Sequence, residues 1–279
     1  MEIIFYLGDK MKKKIGIVGY GYVGKAMARF FMNHYEVIYT DPTIPCSASR
    51  EEINECDLAV ICVPTPSMEN GRCDLSIVAH SVKWIEAPLI LIKSTVPPGA
   101  TQRLIDDSGK RIVFSPEYCG ESSYWTPYKF HSDIKETPFF IFGGDPYDTS
   151  EMVDFFLPVT GPVKTYRQTD SFSAELAKYM ENSFYATKIA FCYEFAEIAK
   201  AMGGDFNEVR ELWLLDPRIN PMHTAVFKSN NQPFSGKCLP KDLNAIIQES
   251  IYYEYIPHLL QEVLDTNQRI RFLRETEET

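Results

Sequence analysis

The hydrophobic pattern of this chain changes period part-way along. From Lys14 to about Tyr166, short apolar runs alternate with helix-length segments: KIGIV, EVIYT, DLAVICV, LILIKS, RIVFS and FFIFGG, each ended by a turn residue or a charge. Runs this short and apolar on both faces predict strands of a parallel sheet covered by helices on both sides. After Tyr166 the period is helical. DSFSAELAKYMENSFYATKIAFCYEFAEIAKAMGG reads as one long helix, opened by Asp170 or Ser171 and stopped by Gly203 and Gly204. Asp205 opens another, with Glu208 as its capping-box partner. LPKDLNAIIQES starts a third behind Pro240, and the stretch through QESIYYEYIPHLLQEVLDTNQRIRFL also reads as helix. The expected class is α/β: a doubly wound parallel sheet over residues 1–166, then an all-helical domain over 167–279. The tail RETEET is expected to fray.

Composition narrows the function. A hydrophobic share of 45% and a charged share of 24% belong to a globular chain. The net charge of −10 argues against nucleic acid as a partner, because phosphate binding needs a basic face. Small anionic ligands, which need only a local cluster of donors, stay open. The seven cysteines have no CxxC pair and the five histidines are scattered. They predict reduced thiols in a cytoplasmic protein, with no structural zinc and no other metal. No run approaches the ~18 apolar residues of a membrane span. The opening MEIIFYLGDKMKKK carries its apolar run before its charges, the reverse of a secretory signal, and Met11 is a candidate start.

The first strand runs into Gly19-Tyr20-Gly21-Tyr22-Val23-Gly24 and then a helix. The first glycine makes the tight turn, the second lets a pyrophosphate approach the backbone, and the third lets helix and strand pack closely. Asp41 ends the second strand, about 20 residues on, where a carboxylate accepts the ribose hydroxyl of NAD and repels the 2′-phosphate of NADP. Asp41 also suits a turn before Pro42. The pattern points to a Rossmann-type sheet holding NAD.

Three later strand ends add to that edge. DLAVICV runs into Pro64-Thr65-Pro66, LILIKS into Thr95-Val96-Pro97-Pro98-Gly99, and RIVFS into Pro116-Glu117, with Glu121 four further on. In a parallel sheet all carboxyl ends lie on one edge, where the ligand sits. Each segment alone is an ordinary turn.

On the long helix Glu175, Lys178 and Asn182 share one face. They read either as an exposed Glu–Lys pair or as donors aimed at a developing oxyanion. Cys238 follows the turn PFSG and precedes Pro240, which places it at a helix N-terminus. The partial positive charge there, with Lys241 nearby, favours thiolate. Asp242, one turn on, suits a general base or the orientation of water.

Taken together these residues resemble the UDP-glucose/GDP-mannose dehydrogenase family. The resemblance rests on GYGYVG (19–24), CVPTP (62–66), STVPPG (94–99), SPEYCGE (115–121), AELAKYMEN (174–182), DPRI (216–219) and GKCLPKD (236–242), and covers residues 12–279. It implies an NAD-dependent oxidation of a nucleotide sugar's primary alcohol to a carboxylate, without release of aldehyde. Cys238 would be the nucleophile, Lys178 and Asn182 would hold the oxyanion, and Asp242 would serve water. Glu117 would join in acid/base work and substrate contact. Thr65, Thr95, Glu121 and Lys241 would line the cofactor side, with Arg218, Asn231 and Ser235 among the substrate contacts. The helical domain would also form a homodimer.

Three departures qualify the resemblance. Ser235-Gly236 stands where the family has two glycines, and the loop from Arg218 to Cys238 is long. A further nucleotide-binding domain, usual at the C-terminus of the family, is not in this sequence. The alternatives are therefore a catalytically impaired NAD- or nucleotide-binding protein, half of a split enzyme, or a simpler two-domain hydroxyacid-type dehydrogenase.

Overall fold

The computed structural model describes residues 12–120, 129, 132–227, 233–236 and 238–277. Seven strands form one sheet in the order β2-β1-β3-β4-β5-β6-β7. They are β1 (Lys14–Val18), β2 (Glu36–Thr40), β3 (Leu58–Ile61), β4 (Ile90–Ile92), β5 (Ile112–Phe114), β6 (Phe139–Gly143) and β7 (Thr165–Thr169). The first five run parallel, with Ile15 opposite Leu58 and Ile90 opposite Ile112. β3, β4 and β5 are buried at every residue, which is why their sequences are unbroken apolar runs.

Two features of the sheet differ from the sequence expectation. β6 pairs antiparallel with β5, and β7 runs parallel to β6, so the last two strands reverse direction. β7, TYRQT, was expected to lie at the start of the helical half. It is an edge strand with exposed polar residues, so it carries no apolar run to announce it.

Helices α1 (Tyr22–Phe31), α2 (Arg50–Asn54), α3 (Ser76–Trp84), α4 (Ala100–Ser108) and α5 (Pro146–Thr160) accompany the sheet. One side packs Met27, Phe30, Phe31, Phe155 and Phe156 against Ile15 and Val60; the other packs Ile53, Val78, Val82 and Leu104 with Ile61 and Ile92. Each fully buried ring or branched chain contributes about 1.5–3 kcal/mol relative to exposure.

The chain divides into two compact units. The first comprises the described residues up to Thr65 and Leu75–Glu175; the second comprises Pro66–Asp74 and the chain from Leu176 onward. Helix α6 (Ser171–Ala201) starts on Asp170, whose Oδ1 accepts the Ser173 N–H at 2.7 Å. Helix α7 (Phe206–Trp213) is capped by Asp205 through the Asn207 N–H, not through Glu208 as a capping box would have it. Helices α8 (Leu239–Tyr252) and α9 (His258–Glu277) pack with α6 around Ala186, Ala190, Phe234, Leu243, Ile247 and Val263. The stretch expected to run on as helix past Tyr252 breaks instead. Glu254 takes φ 63° and Pro257 precedes α9, because the residue before a proline is kept out of helical geometry. No described helix is long and apolar enough to cross a membrane.

Candidate functional site

The glycine-rich turn lies between β1 and α1. Gly19 has φ 88°, and a Cβ there would meet the Cys62 carbonyl oxygen at 2.9 Å. A Cβ on Gly24 would lie 2.0 Å from the Gly19 oxygen, so that glycine is what lets α1 close on the turn. At Gly21, the N-cap of α1, a Cβ would meet nothing within 4 Å. A closed turn, an open approach and an uncapped helix N-terminus are the surroundings a pyrophosphate requires.

Asp41 serves turn and loop at once. Its Oδ1 accepts the Thr43 hydroxyl at 2.6 Å and the Thr43 N–H at 2.9 Å, while its Oδ2 accepts the Tyr20 N–H at 2.7 Å. These bonds, the Thr43 hydroxyl foremost, hold its carboxyl below the usual range. A carboxylate has about four acceptor sites, so capacity for a ribose hydroxyl remains. Tyr20 stacks on Tyr39 with centroids 3.7 Å apart, Tyr22 donates to the Gly120 oxygen, and Val23 packs on the core. The donor set fits NAD.

At the strand ends, Thr65 donates to the Thr95 oxygen at 3.0 Å. Glu117 is held at both of its oxygens. Its Oε1 accepts the N–H groups of Tyr118 (2.8 Å) and Cys119 (2.6 Å), and its Oε2 faces the buried Lys93 ammonium at 3.3 Å. Lys93 also donates to the Pro116 oxygen at 2.9 Å. Lys93 was not among the residues expected at this edge. Its signal was a cation at the end of the otherwise apolar run LILIKS, which must find a partner when buried. Glu121 lies outside the described residues, as does Asn231.

The second unit gathers a different group. Asp242 is buried on the first turn of α8. Its Oδ2 accepts the Asn182 amide N–H at 2.6 Å and its Oδ1 the Lys241 ammonium at 2.5 Å. Its own N–H donates to the Cys238 oxygen at 2.8 Å, the first helical bond after the Cys238 N-cap. Cys238 is exposed. Lys178 pairs with Glu181 at 3.0 Å, and the other oxygen of Glu181 accepts the Tyr185 hydroxyl. The exposed Glu175–Lys178 pair is thus corrected: Glu175 is buried within the first unit and bonds the backbone of α4. Burial, with the Asp242 carboxylate nearby, pushes the Tyr179 phenol well above its ordinary value. Arg218 pairs with Asp216 at 2.6 Å and is exposed, and Ser235 is exposed before Gly236 at φ 87°.

The thiols separate by environment. Burial pushes Cys56 up to about 11, Cys119 to about 12, and Cys62 and Cys192 upward. Such thiols stay protonated near neutrality and are poor nucleophiles. Cys46 and Cys238 are the exposed ones. Among the described residues no cluster of three or more His, Cys, Asp or Glu could hold a metal.

Two family descriptions match this chain: the NAD binding domain of the UDP-glucose/GDP-mannose dehydrogenase family over residues 45–134, and its central domain over 172–269. The chain belongs to this family. Its similarity to individual dehydrogenases agrees. It is 30% identical over 215 residues to the UDP-glucose 6-dehydrogenase of Rickettsia bellii, covering 72% of this chain and 47% of that protein. It is 30% identical over 253 residues to a UDP-N-acetyl-D-mannosamine dehydrogenase of Methanococcus maripaludis, covering 76% and 57%. The solved UDP-glucose dehydrogenase of Pyrobaculum islandicum superposes with a TM-score of 0.77 at 25% identity, covering 92% of this chain and 68% of that one. The chain spans about half the length of the curated relatives it matches. The matched N-terminal domain family is an NAD binding one, and the Gly19–Gly24 turn with Asp41 fits NAD.

Proposed function

We propose that this nucleotide-sugar dehydrogenase oxidises the C6 alcohol of UDP-glucose to the carboxylate of UDP-glucuronate, with Cys238 as the nucleophile. Residues 1–166 serve as the NAD domain and 167–279 as the helical domain carrying the cysteine loop. When bound, NAD accepts one hydride in each of two oxidations. In the first, the alcohol loses a hydride, gives its O–H proton to solvent and becomes an aldehyde. The Cys238 thiolate then adds to the aldehyde carbon, and the oxyanion of the thiohemiacetal is held by the Lys178 ammonium and the free N–H of the Asn182 amide. Loss of a second hydride leaves a thioester. Water, giving its proton to Asp242, cleaves the thioester to the carboxylate and releases the thiol. Glu117 contributes to acid/base work; Thr65, Thr95, Glu121 and Lys241 line the cofactor side, and Arg218, Asn231 and Ser235 contact the substrate.

The observation that carries this reading is the buried Asp242, bonded by Asn182 and Lys241 one turn after the exposed Cys238. A buried carboxylate with two donors, next to an exposed thiol at a helix N-terminus, is costly as mere structure and useful as chemistry. The same reading brings a second copy of the chain onto α6 and α7, where Phe184, Phe191, Phe195, Ile198, Val209 and Leu212 are exposed. It places the protein in the cytoplasm, with its thiols reduced.

The test is NADH production by the purified chain with UDP-glucose or UDP-N-acetylmannosamine, wild type beside Cys238→Ala. Two NADH per sugar from wild type and none from the variant are expected; the preferred sugar identifies the substrate. If NAD binds but neither sugar is oxidised, the reading falls and an NAD-binding half of a split enzyme replaces it.

A further inference from the structure

After β3 the chain forms a small hairpin over Pro66–Asp74, and Leu75 then caps α3. Ser67 and Cys73 bridge antiparallel, Met68 N–H donates to the Arg72 oxygen at 2.8 Å, and Asp74 N–H donates to the Pro66 oxygen at 2.8 Å. The hairpin packs in the second unit and meets α8 over more than two of its turns. Gly71, at φ 82°, lies so close to Asn244 that a Cβ would stand 2.5 Å from its Nδ2. Arg72 donates through Nε (3.2 Å) and Nη2 (2.9 Å) to one oxygen of the buried Glu249. Its guanidinium also lies over the Tyr252 ring, 4.6 Å from the centroid. Cys73, buried, lies beside Tyr179, the neighbour of Lys178 on α6.

Asn244 is two residues from Asp242, and Asp242 N–H holds the Cys238 oxygen. The hairpin contacts and the thiol are joined by α8 itself, one continuous helix from Leu239 to Tyr252 with Cys238 as its N-cap. A helix held at Asn244, Glu249 and Tyr252 can neither slide nor turn without losing an ion pair buried on the Glu249 side. We propose that the Pro66–Asp74 hairpin is a clamp that fixes the position of α8, with Arg72 as the positioning residue for Cys238 and Asp242. This rests on the nucleotide-sugar dehydrogenase reading for its kinetic consequence, though not for its geometry. Arg72 touches none of the reacting groups in that reaction; it acts through the helix.

A brace that served stability alone would show itself in unfolding and nowhere else. The experiment therefore separates stability from placement. Arg72→Met, Arg72→Lys and the double variant Arg72→Met/Glu249→Met are compared with wild type in the full chain. The readouts are thermal unfolding, the rate of iodoacetamide alkylation at the Cys238 peptide against pH, and kcat and KM in NADH production. The double variant leaves no buried charge unpaired, so its stability is expected to return towards wild type. Its Cys238 alkylation rate should still differ by roughly two- to fivefold, the range of a helix-terminus effect on a thiolate. Its kcat should fall about tenfold or more with KM for NAD unchanged, because small misplacement of a nucleophile is expensive in rate. Arg72→Lys, which keeps a cation opposite Glu249, should restore part of both. Wild-type alkylation and kcat in the double variant and in Arg72→Lys would overturn the clamp. If wild type oxidises no nucleotide sugar but the alkylation rate still follows Arg72, the clamp stands and the proposed reaction falls.

Discussion

Glu175 caps the helix on which Thr101 lies: its Oε1 accepts the Thr101 N–H at 2.8 Å, and its other oxygen accepts that of Gly99 at 2.5 Å. The first turn of α6 is thereby tied to the start of α4, directly after the segment carrying Thr95. Truncating Glu175→Ala should cost about 1–2 kcal/mol of stability at neutral pH, the usual loss of an N-terminal cap. Burial raises the Glu175 pKa above its ordinary 4.5, the backbone bonds only partly offsetting it. The folded chain thus keeps that proton to higher pH than the unfolded chain, so the contribution of Glu175 is greatest below the unfolded value. It declines as pH rises through the folded one. Urea titrations at several pH values should find the gap between wild type and Glu175→Ala narrowing across that window.

Lys93 and Glu117 form a buried ion pair at 3.3 Å. Lys93→Met leaves the carboxylate unpaired, and a loss of about 3–5 kcal/mol is expected in denaturant unfolding. The double variant Lys93→Met/Glu117→Gln should recover most of it. A loss in the double as large as in the single would show that the lysine, not the pair, matters.

Two glycines of the same turn should behave oppositely. Gly21→Ala has room for its methyl and an ordinary backbone, so the chain should fold with nearly unchanged stability. The methyl stands in the approach to the loop, and NAD affinity, read by calorimetry, should fall about tenfold or more. Gly24→Ala meets the Gly19 oxygen at 2.0 Å and should destabilise the fold itself, visible as a lowered Tm.

Asp242→Asn keeps the shape of the cluster but can neither take a proton nor balance Lys241. A fall in NADH production of about 100-fold or more is expected, with NAD binding retained, as for the loss of a general base. Activity within a few-fold of wild type would remove Asp242 from the reaction.

The apolar face of α6 and α7 gives a test of association. Phe191→Glu together with Leu212→Glu places charge where both side chains are exposed. If a second copy covers this face, sedimentation should show the dimer weakened about 100-fold or more, since a buried unpaired charge costs several kcal/mol. An unchanged dimer would place the interface elsewhere, and a monomeric wild type would remove it.

Much of the fold was legible because burial leaves local signs. β3, β4 and β5 must be apolar on both faces, so their sequences are unbroken runs, and the Gly19–Gly24 turn demands glycine where a Cβ would collide. Cys238, Lys241 and Asp242 were legible as a group because one helical turn sets their spacing. β7 was not, because an edge strand needs only one apolar side and TYRQT has little even of that. The break after Tyr252 was marked by Pro257, yet the apolar period continues across it.

The partnerships belong to a different level. By itself the sequence determined the parallel strands β1 to β5, the Gly19–Gly24 turn and the helix that starts behind Cys238, since each is marked by a local run or spacing of a few residues. Only the tertiary structure decided that Glu175 turns to the backbone of α4 rather than to Lys178, that Lys93 holds Glu117, and that Arg72 reaches Glu249, 177 residues away. The physical reason is that a buried charge must be satisfied by whatever donor or carboxylate the packing brings near. Periodicity reports which side of an element is buried, but not which neighbour will be found there.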